Sequence, residues 1–299
     1  MKRIAILMGG NSPEREISIN SGLAVVKACR NLGYTPITIE VDNNISDIVD
    51  PILSSDVVFS VLHGGDGENG VMQGFLDSLK VLYTGSGVLG SAICMNKSVS
   101  KTLVRAAKLP TPNWVLINKR EKLENLDVLR MPLVVKPNDL GSTIGLTIVK
   151  NQEAWYGALD LAFQFSNEII VEQYISGREL TAAIVGQTSL SLVEIIPQHG
   201  LYDYECKYQE GMSSYECPAK LNESVSEKIR SMALEIYKIL NCNDYGRVDF
   251  RLDDNNQPWF LELNTLPGMT STSLVPKAAK ADGHSFTNLI EMIINEALK

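Results

Sequence analysis

The chain has 299 residues and carries 27 Lys plus Arg against 35 Asp plus Glu, a net charge of −8. That balance excludes a general binder of nucleic acid or anionic membrane, whose affinity would rest on clustered Lys and Arg. With 44% hydrophobic and 21% charged residues, it is long enough to bury a core without disulfides or structural metals.

The opening apolar run, residues 4–8, is too short for a signal-peptide core or a membrane span. The five cysteines (Cys29, Cys94, Cys206, Cys217 and Cys242) form no CxxC pair. They read as reduced thiols of a soluble cytoplasmic protein. Residues 4–8, 36–41 and 57–62 predict buried strands of a parallel sheet. A helix between the first two is expected to start at Ser12 as N-cap, with Pro13 in its first turn. Its apolar stripe would be Ile17, Ala24, Val25, Ala28 and Leu32, stopped by Gly33. This order predicts a doubly wound sheet with ligands at the carboxyl ends of its strands, where Gly9-Gly10 and His63-Gly64-Gly65 fall.

Gly85-Ser86-Gly87-Val88-Leu89-Gly90 follows an apolar run at residues 81–83 and spells GxGxxG. No acid follows until Glu121, so the ribose-binding partner of a dinucleotide fingerprint is missing. A tight strand-to-helix turn is the expected role. After Met95 a helix over 97–107 ends at Leu109-Pro110-Thr111-Pro112. Strands at 133–135, 146–149 and 169–172, with a helix at 153–163, suggest a small α+β module. Strands at 181–185, 190–196, 247–252 and 258–263 and helices at 225–240 and 286–298 complete the chain. The polar stretch 197–218 reads as a lid or binding loop.

Four clusters carry chemistry. Arg247 and Asp249 share one strand face, as do Glu262 and Asn264. Val248, Phe250, Leu261 and Leu263 alternate with them as core residues, which favours a Mg²⁺ site over an exposed face of ordinary ion pairs. Lys136 ends an apolar strand before the Gly141-Ser142-Thr143-Ile144-Gly145 loop, a cradle for phosphate or a plain hairpin turn. Lys97 reads either as a phosphate ligand or as a solvated helix lysine. Glu14, in Gly9-Gly10-Asn11-Ser12-Pro13-Glu14-Arg15-Glu16, suits an ammonium group, and Glu16 complements the helix dipole. His63 is either structural or a site residue, its address at a strand end favouring neither.

Jointly these motifs, with Gly246-Arg247-Val248-Asp249 and Glu262-Leu263-Asn264-Thr265-Leu266-Pro267-Gly268-Met269-Thr270, resemble the D-alanine–D-alanine ligase family of the ATP-grasp superfamily. The resemblance covers essentially the whole chain. It implies an ATP-grasp fold of mixed α/β and α+β class. A doubly wound domain over 1–95 would precede two nucleotide-clasping units, 96–178 and 179–299. It implies ATP-dependent joining of two D-alanines through an acyl phosphate, for peptidoglycan precursors, by a homodimer.

The roles it implies follow residue by residue. Asp249, Glu262 and Asn264 would hold two Mg²⁺, with Mn²⁺ a substitute, and Lys97 and Lys136 would hold phosphates. Glu172 and the Ile175 backbone would meet adenine, and Glu179 the ribose. Arg247 and the Gly268 N–H would stabilise an oxyanion. Glu14 would take the first ammonium, His63 would orient substrate, and Ser273 with the Leu274 amide would receive the second carboxylate. Tyr208, Ser142 and Glu14 would latch the lid. Gln173 departs from the family, which often has Lys there; an amide still hydrogen-bonds a purine.

Overall fold

A computed structural model describes residues 1–42, 44–120, 126, 128–198 and 212–299. Strands β1 (Arg3–Gly9), β2 (Thr35–Val41) and β3 (Val57–Ser60) form a parallel sheet in the order β2-β1-β3. Helices α1 (Arg15–Asn31), α2 (Val49–Leu53), α3 (Val71–Ser78), α4 (Val88–Met95) and α5 (Lys97–Ala106) follow in chain order among and after them. Next come β4 (Trp114–Ile117), β5 (Leu133–Pro137), β6 (Thr147–Val149), α6 (Trp155–Ala162) and β7 (Ile169–Gln173). These strands pair antiparallel in the order β4-β7-β5-β6. The third sheet is antiparallel, β11-β10-β8-β12-β13. Its strands are β8 (Arg178–Val185), β9 (Thr188–Ser189, paired to β8), β10 (Val193–Pro197), β11 (Ser213–Glu216), β12 (Tyr245–Leu252) and β13 (Pro258–Asn264). Helices α7 (Glu223–Ile239), α8 (Leu274–Ala281) and α9 (Phe286–Ala297) complete the described chain.

β1 and β3 are buried on both faces, which explains their unbroken apolar runs. β2, expected to be buried, instead alternates, with Thr35, Thr38 and Glu40 exposed and Ile39 and Val41 buried. Ile4, Ile6 and Met8 pack with Val25, Val26 and, from α9, Leu289, Ile290 and Ile293. Ala5 and Leu7 face Ile52, Met72 and Leu76. The expected strand at 81–83 reduces to one parallel bridge, Val58 to Tyr83.

Helix α1 departs from the expectation at both its start and its face. It begins at Arg15, because the Ser12 hydroxyl is occupied before the helix, donating to the His63 carbonyl and accepting the Glu14 N–H. Its buried face is Ser18, Ser21, Gly22, Val25, Val26, Ala28 and Cys29, while Ile17, Ala24 and Leu32 are half-buried. Gly22 sets that rotation: a Cβ there would sit 2.8 Å from Met8 Cβ, which cannot swing aside, so glycine lets helix and strand approach.

The GxGxxG turn docks against the loop that leads into β12 of the third sheet. Gly85 N–H donates to Asp244 Oδ2 at 2.9 Å, and Ser86 Oγ accepts the Asn243 N–H at 3.2 Å. Its glycines therefore serve backbone packing. Helix α5 also belongs by packing to the third sheet, since Val104 sits in one cluster with Ile184, Val248 and Phe260.

Candidate functional site

Two clefts meet at the β12–β13 strand pair. In its register Arg247 stands opposite Asn264 and Asp249 opposite Glu262. A bulge follows between Asp249 and Phe250, so that Phe250 pairs with Phe260 and Leu261 is the extra residue. This corrects one expectation. Leu261 does not alternate into the core; it lines a cleft beside Glu262, while Val248, Phe250 and Leu263 are buried as expected.

Asp249 is densely satisfied. Arg247 grips it through Nε at 2.9 Å and Nη2 at 2.8 Å, Thr181 donates at 2.6 Å and Asn264 Nδ2 at 2.9 Å. The Asn264 amide nitrogen thus points at Asp249, leaving its oxygen as the acceptor end. Among the described residues no three His, Cys, Asp or Glu side chains gather as a metal cage. Two carboxylates and an amide oxygen on neighbouring strands nevertheless fit Mg²⁺, which takes few protein ligands and fills its octahedron with phosphate and water.

The first cleft, about 910 Å³, lies between the second and third sheets. Val134, Leu146, Ile148 and Ile144 give it apolar walls, and Lys97, Lys136, Glu172, Gln173, Ile175 and Glu179 also line it. At its floor is a buried charge network. Glu172, 2% exposed, binds Lys136 Nζ through Oε1 at 2.5 Å and Lys101 Nζ through Oε2 at 2.8 Å. Burial alone would raise the Glu172 carboxyl, but the two ammonium groups outweigh it and hold it below its usual range. For Lys136 burial likewise opposes the charge, yet Glu172 and Glu262 raise it overall. Burial dominates at Lys101 and brings it down to about 8, against the pull of Glu172.

Lys97 is no solvated helix lysine. It is 6% exposed, donates to the Leu140 carbonyl at 2.7 Å and stands 3.4 Å from Glu262 Oε2. Arg251 organises the far wall, donating to the Ile175 carbonyl at 3.1 Å and the Gly177 carbonyl at 2.7 Å while pairing with Glu179 at 3.2 Å. The Gln173 side chain turns toward the Arg130 N–H and the Pro132 carbonyl.

The second cleft, about 1530 Å³, lies among the loops of the first and third sheets. Glu14, His63, Glu68, Ser142, Arg247, Asn264, Gly268, Ser273 and Leu274 all line it. Ser142 and Thr143 hold left-handed backbone, φ 54° and 62°, a conformation non-glycine residues sustain only where the surroundings impose it. Here it carries the Ser142 hydroxyl onto Glu14 Oε1. His63 is buried, and its Nε2 has no hydrogen-bond partner among the described residues. Burial holds its imidazole below the ordinary value, against the pull of Glu14. Glu68 accepts the Gly64 N–H at 2.6 Å, and burial, reinforced by Glu14, pushes it up to about 8.

At the opposite end Ser273 precedes α8, so the Leu274 N–H opens that helix and favours an anion. Ser273 Oγ also accepts the Thr270 N–H at 3.1 Å. A Cβ on Gly268 would stand 2.9 Å from that hydroxyl, so glycine keeps this end of the cleft open.

The structure therefore brings together every expected site residue except Tyr208, which lies outside the described residues. Sequence reasoning missed Lys101, Arg251 and Glu68. A lysine four residues after Lys97 and an arginine two after Asp249 were the available signals, on the same helix face and the same strand face.

Comparison with known proteins places the chain in a family. The family model described as "D-ala D-ala ligase C-terminus" matches residues 103–295. A D-alanine–D-alanine ligase of Pelotomaculum thermopropionicum is 41% identical over 311 aligned positions, covering 99% of this chain and 97% of that one. The crystal structure of a D-alanine–D-alanine ligase from Bacillus anthracis superposes with a TM-score of 0.89 at 35% identity, covering 100% of this chain and 98% of that one. The same enzyme complexed with ATP gives 0.86 at 34% identity, covering 100% and 97%. By fold, site and full-length similarity, the chain belongs to the D-alanine–D-alanine ligase family.

Proposed function

We infer that this chain joins two D-alanines into D-alanyl-D-alanine, coupled to cleavage of ATP to ADP and phosphate. The observation that carries the reading is the meeting of two clefts at one polar strand pair, Arg247–Asp249 against Glu262–Asn264. The first cleft suits a nucleotide. Its apolar walls would take the purine, with Glu172, Gln173 and the Ile175 backbone at the base edge and Glu179 at the ribose. Lys97 and Lys136 would meet the phosphates. The second cleft suits two amino acids. Glu14 would hold the first ammonium, His63 would orient that substrate, and Ser273 with the Leu274 N–H would receive the second carboxylate.

Phosphoryl transfer asks chiefly for positioning and charge neutralisation. Two Mg²⁺, or Mn²⁺ in their place, would neutralise phosphate charge, held by Asp249, Glu262 and Asn264. The first D-alanine carboxylate would attack the γ-phosphate, breaking its bond to the β-phosphate so that ADP leaves, and become an acyl phosphate. The second D-alanine amine would then attack the carbonyl carbon and expel phosphate. Arg247 and the Gly268 N–H would stabilise the tetrahedral oxyanion. Ser142, fastened to Glu14, would close the cleft with Tyr208 and exclude water, which otherwise hydrolyses an acyl phosphate. We place the product in peptidoglycan precursor synthesis in the cytoplasm, the enzyme as a homodimer, and the units at 1–95, 96–178 and 179–299. One sheet in each range supports that division.

The test is phosphate release with ATP and Mg²⁺ in the presence of D-alanine, L-alanine, D-serine or D-lactate. Release should require D-alanine and rise with its concentration in a two-site manner. Equal rates with L-alanine would overturn the reading.

A further inference from the structure

Lys101 is fully buried, yet the mechanism above gives it no task. Its Nζ meets Glu172 Oε2 at 2.8 Å, Thr111 Oγ1 at 2.9 Å and the Phe260 carbonyl at 3.4 Å. Those partners come from β7 of the second sheet, the turn after α5, and β13 of the third sheet. Thr111 repeats the link, donating to the same Phe260 carbonyl at 2.9 Å. The ammonium therefore sits where the two walls of the first cleft join, behind the carboxylate that holds Lys136.

We propose that Lys101 is a positioning residue of the nucleotide site: it pins Glu172 by one oxygen so that the other holds Lys136 in the cleft, and it ties the two cleft walls together through Phe260. The inference rests on the nucleotide reading of that cleft. Three features separate this arrangement from ordinary packing. A buried lysine is costly and persists only where it is paired. Glu172 divides its oxygens between two ammonium groups, so loss of one frees the carboxylate to swing toward the other. Lys97, one helical turn earlier, reaches Glu262 from the same helix, so α5 orients the first cleft at two points.

The charge of Lys101 supplies a readout. With burial bringing it to about 8, the ammonium loses its proton within an accessible range. Lys136 is shifted the other way and Glu172 stays anionic. Glu262 also acts on both lysines. An alkaline loss of nucleotide affinity that Lys101→Arg removes would accordingly report Lys101. Glu68, near the same value, lines the second cleft and the hollow beside Lys97, away from the purine end.

The experiment is calorimetric titration of the full chain with ADP and Mg²⁺, without D-alanine, from pH 7.5 to 9.5. Wild type should lose about tenfold in affinity across that range. Lys101→Arg, whose guanidinium keeps its charge, should bind more weakly at pH 7.5 but lose less than twofold to pH 9.5. Lys101→Met should bind ADP at least tenfold more weakly at pH 7.5. Thr111→Val, which removes one anchor and no charge, should weaken ADP about threefold and keep the wild-type pH slope. A flat wild-type profile, or Lys101→Met binding like wild type, would overturn the proposal. So would an unchanged slope in Lys101→Arg. If Lys101→Met fails to fold, the wild-type slope and Thr111→Val decide. A wild type that binds no ADP at any pH would instead overturn the nucleotide reading.

Discussion

The two clefts use charge in opposite ways. In the first, charges are neutralised inside the protein before any ligand arrives: Glu172 lies between Lys101 and Lys136, Glu179 lies against Arg251, and all are buried or half-buried. In the second, polar groups are less fully matched within the protein. His63 Nε2 has no described partner, Glu68 is half-buried near like charge from Glu14, and Ser273 guards a bare helix start. The difference teaches what each cleft does with solvent. A prepaired network holds its geometry when dry and costs little reorganisation during phosphoryl transfer. The second cleft, with an unpartnered imidazole nitrogen and a bare helix start, leaves places for the charged ends of substrate to complete.

The largest expected effect lies where the clefts meet. Glu262→Gln should lower turnover by roughly a thousandfold or more, a loss of several kcal/mol in the transition state, while circular dichroism and melting stay near wild type. Near-normal activity at saturating Mg²⁺ would remove Glu262 from the metal set. Next, Glu172→Leu should leave two buried ammonium groups without their carboxylate and destabilise the fold by about 3–5 kcal/mol. Denaturant titration measures it. A change under 1 kcal/mol would contradict the prepaired account of the first cleft.

The second cleft offers a test of opposite sign. The Glu68 carboxyl stands at about 8 in the fold against an ordinary 4.5. Its contribution therefore favours the folded state fully below pH 4.5 and is lost as pH rises through 8. Glu68→Gln removes that titration, so the variant should melt like wild type at pH 4.5 and higher than wild type at pH 9. Parallel melting curves across this range would show that Glu68 does not titrate as described.

These residues also mark what the sequence made legible. Alternation in 247–252 and 258–263 located the shared polar face, because strand periodicity is local and strong. The Leu261 bulge was not legible, since register depends on the partner strand. Lys101 and Glu68 were passed over for a related reason: a charged residue on an amphipathic helix or in a glycine loop is ordinarily solvated, and only tertiary packing buries it. β4 and β11 were missed because each has four residues and gains its strand form from its neighbour. Helix α1 misled by its apolar stripe, since Gly22 lets a flatter face, with Ser18 and Ser21 on it, press on the sheet.

The smallest expected effect concerns closure. Tyr208→Phe removes a neutral hydrogen-bonding hydroxyl, worth about 0.5–1.5 kcal/mol, and Ser142→Ala removes one that donates to the Glu14 carboxylate, worth about 1.5–3 kcal/mol. Turnover should fall a few-fold in the first and further in the second, and phosphate released per dipeptide formed should rise as water competes. A ratio unchanged in both variants would remove the latch.

The central claim is that a carboxylate in the second cleft attacks a phosphate held in the first. Turnover with ATP and D-alanine carrying oxygen-18 in both carboxylate oxygens, in ordinary water, tests it directly. The released phosphate should carry one oxygen-18 atom for each dipeptide formed, because the attacking oxygen leaves with phosphorus. Unlabelled phosphate, formed in step with dipeptide, would contradict the account.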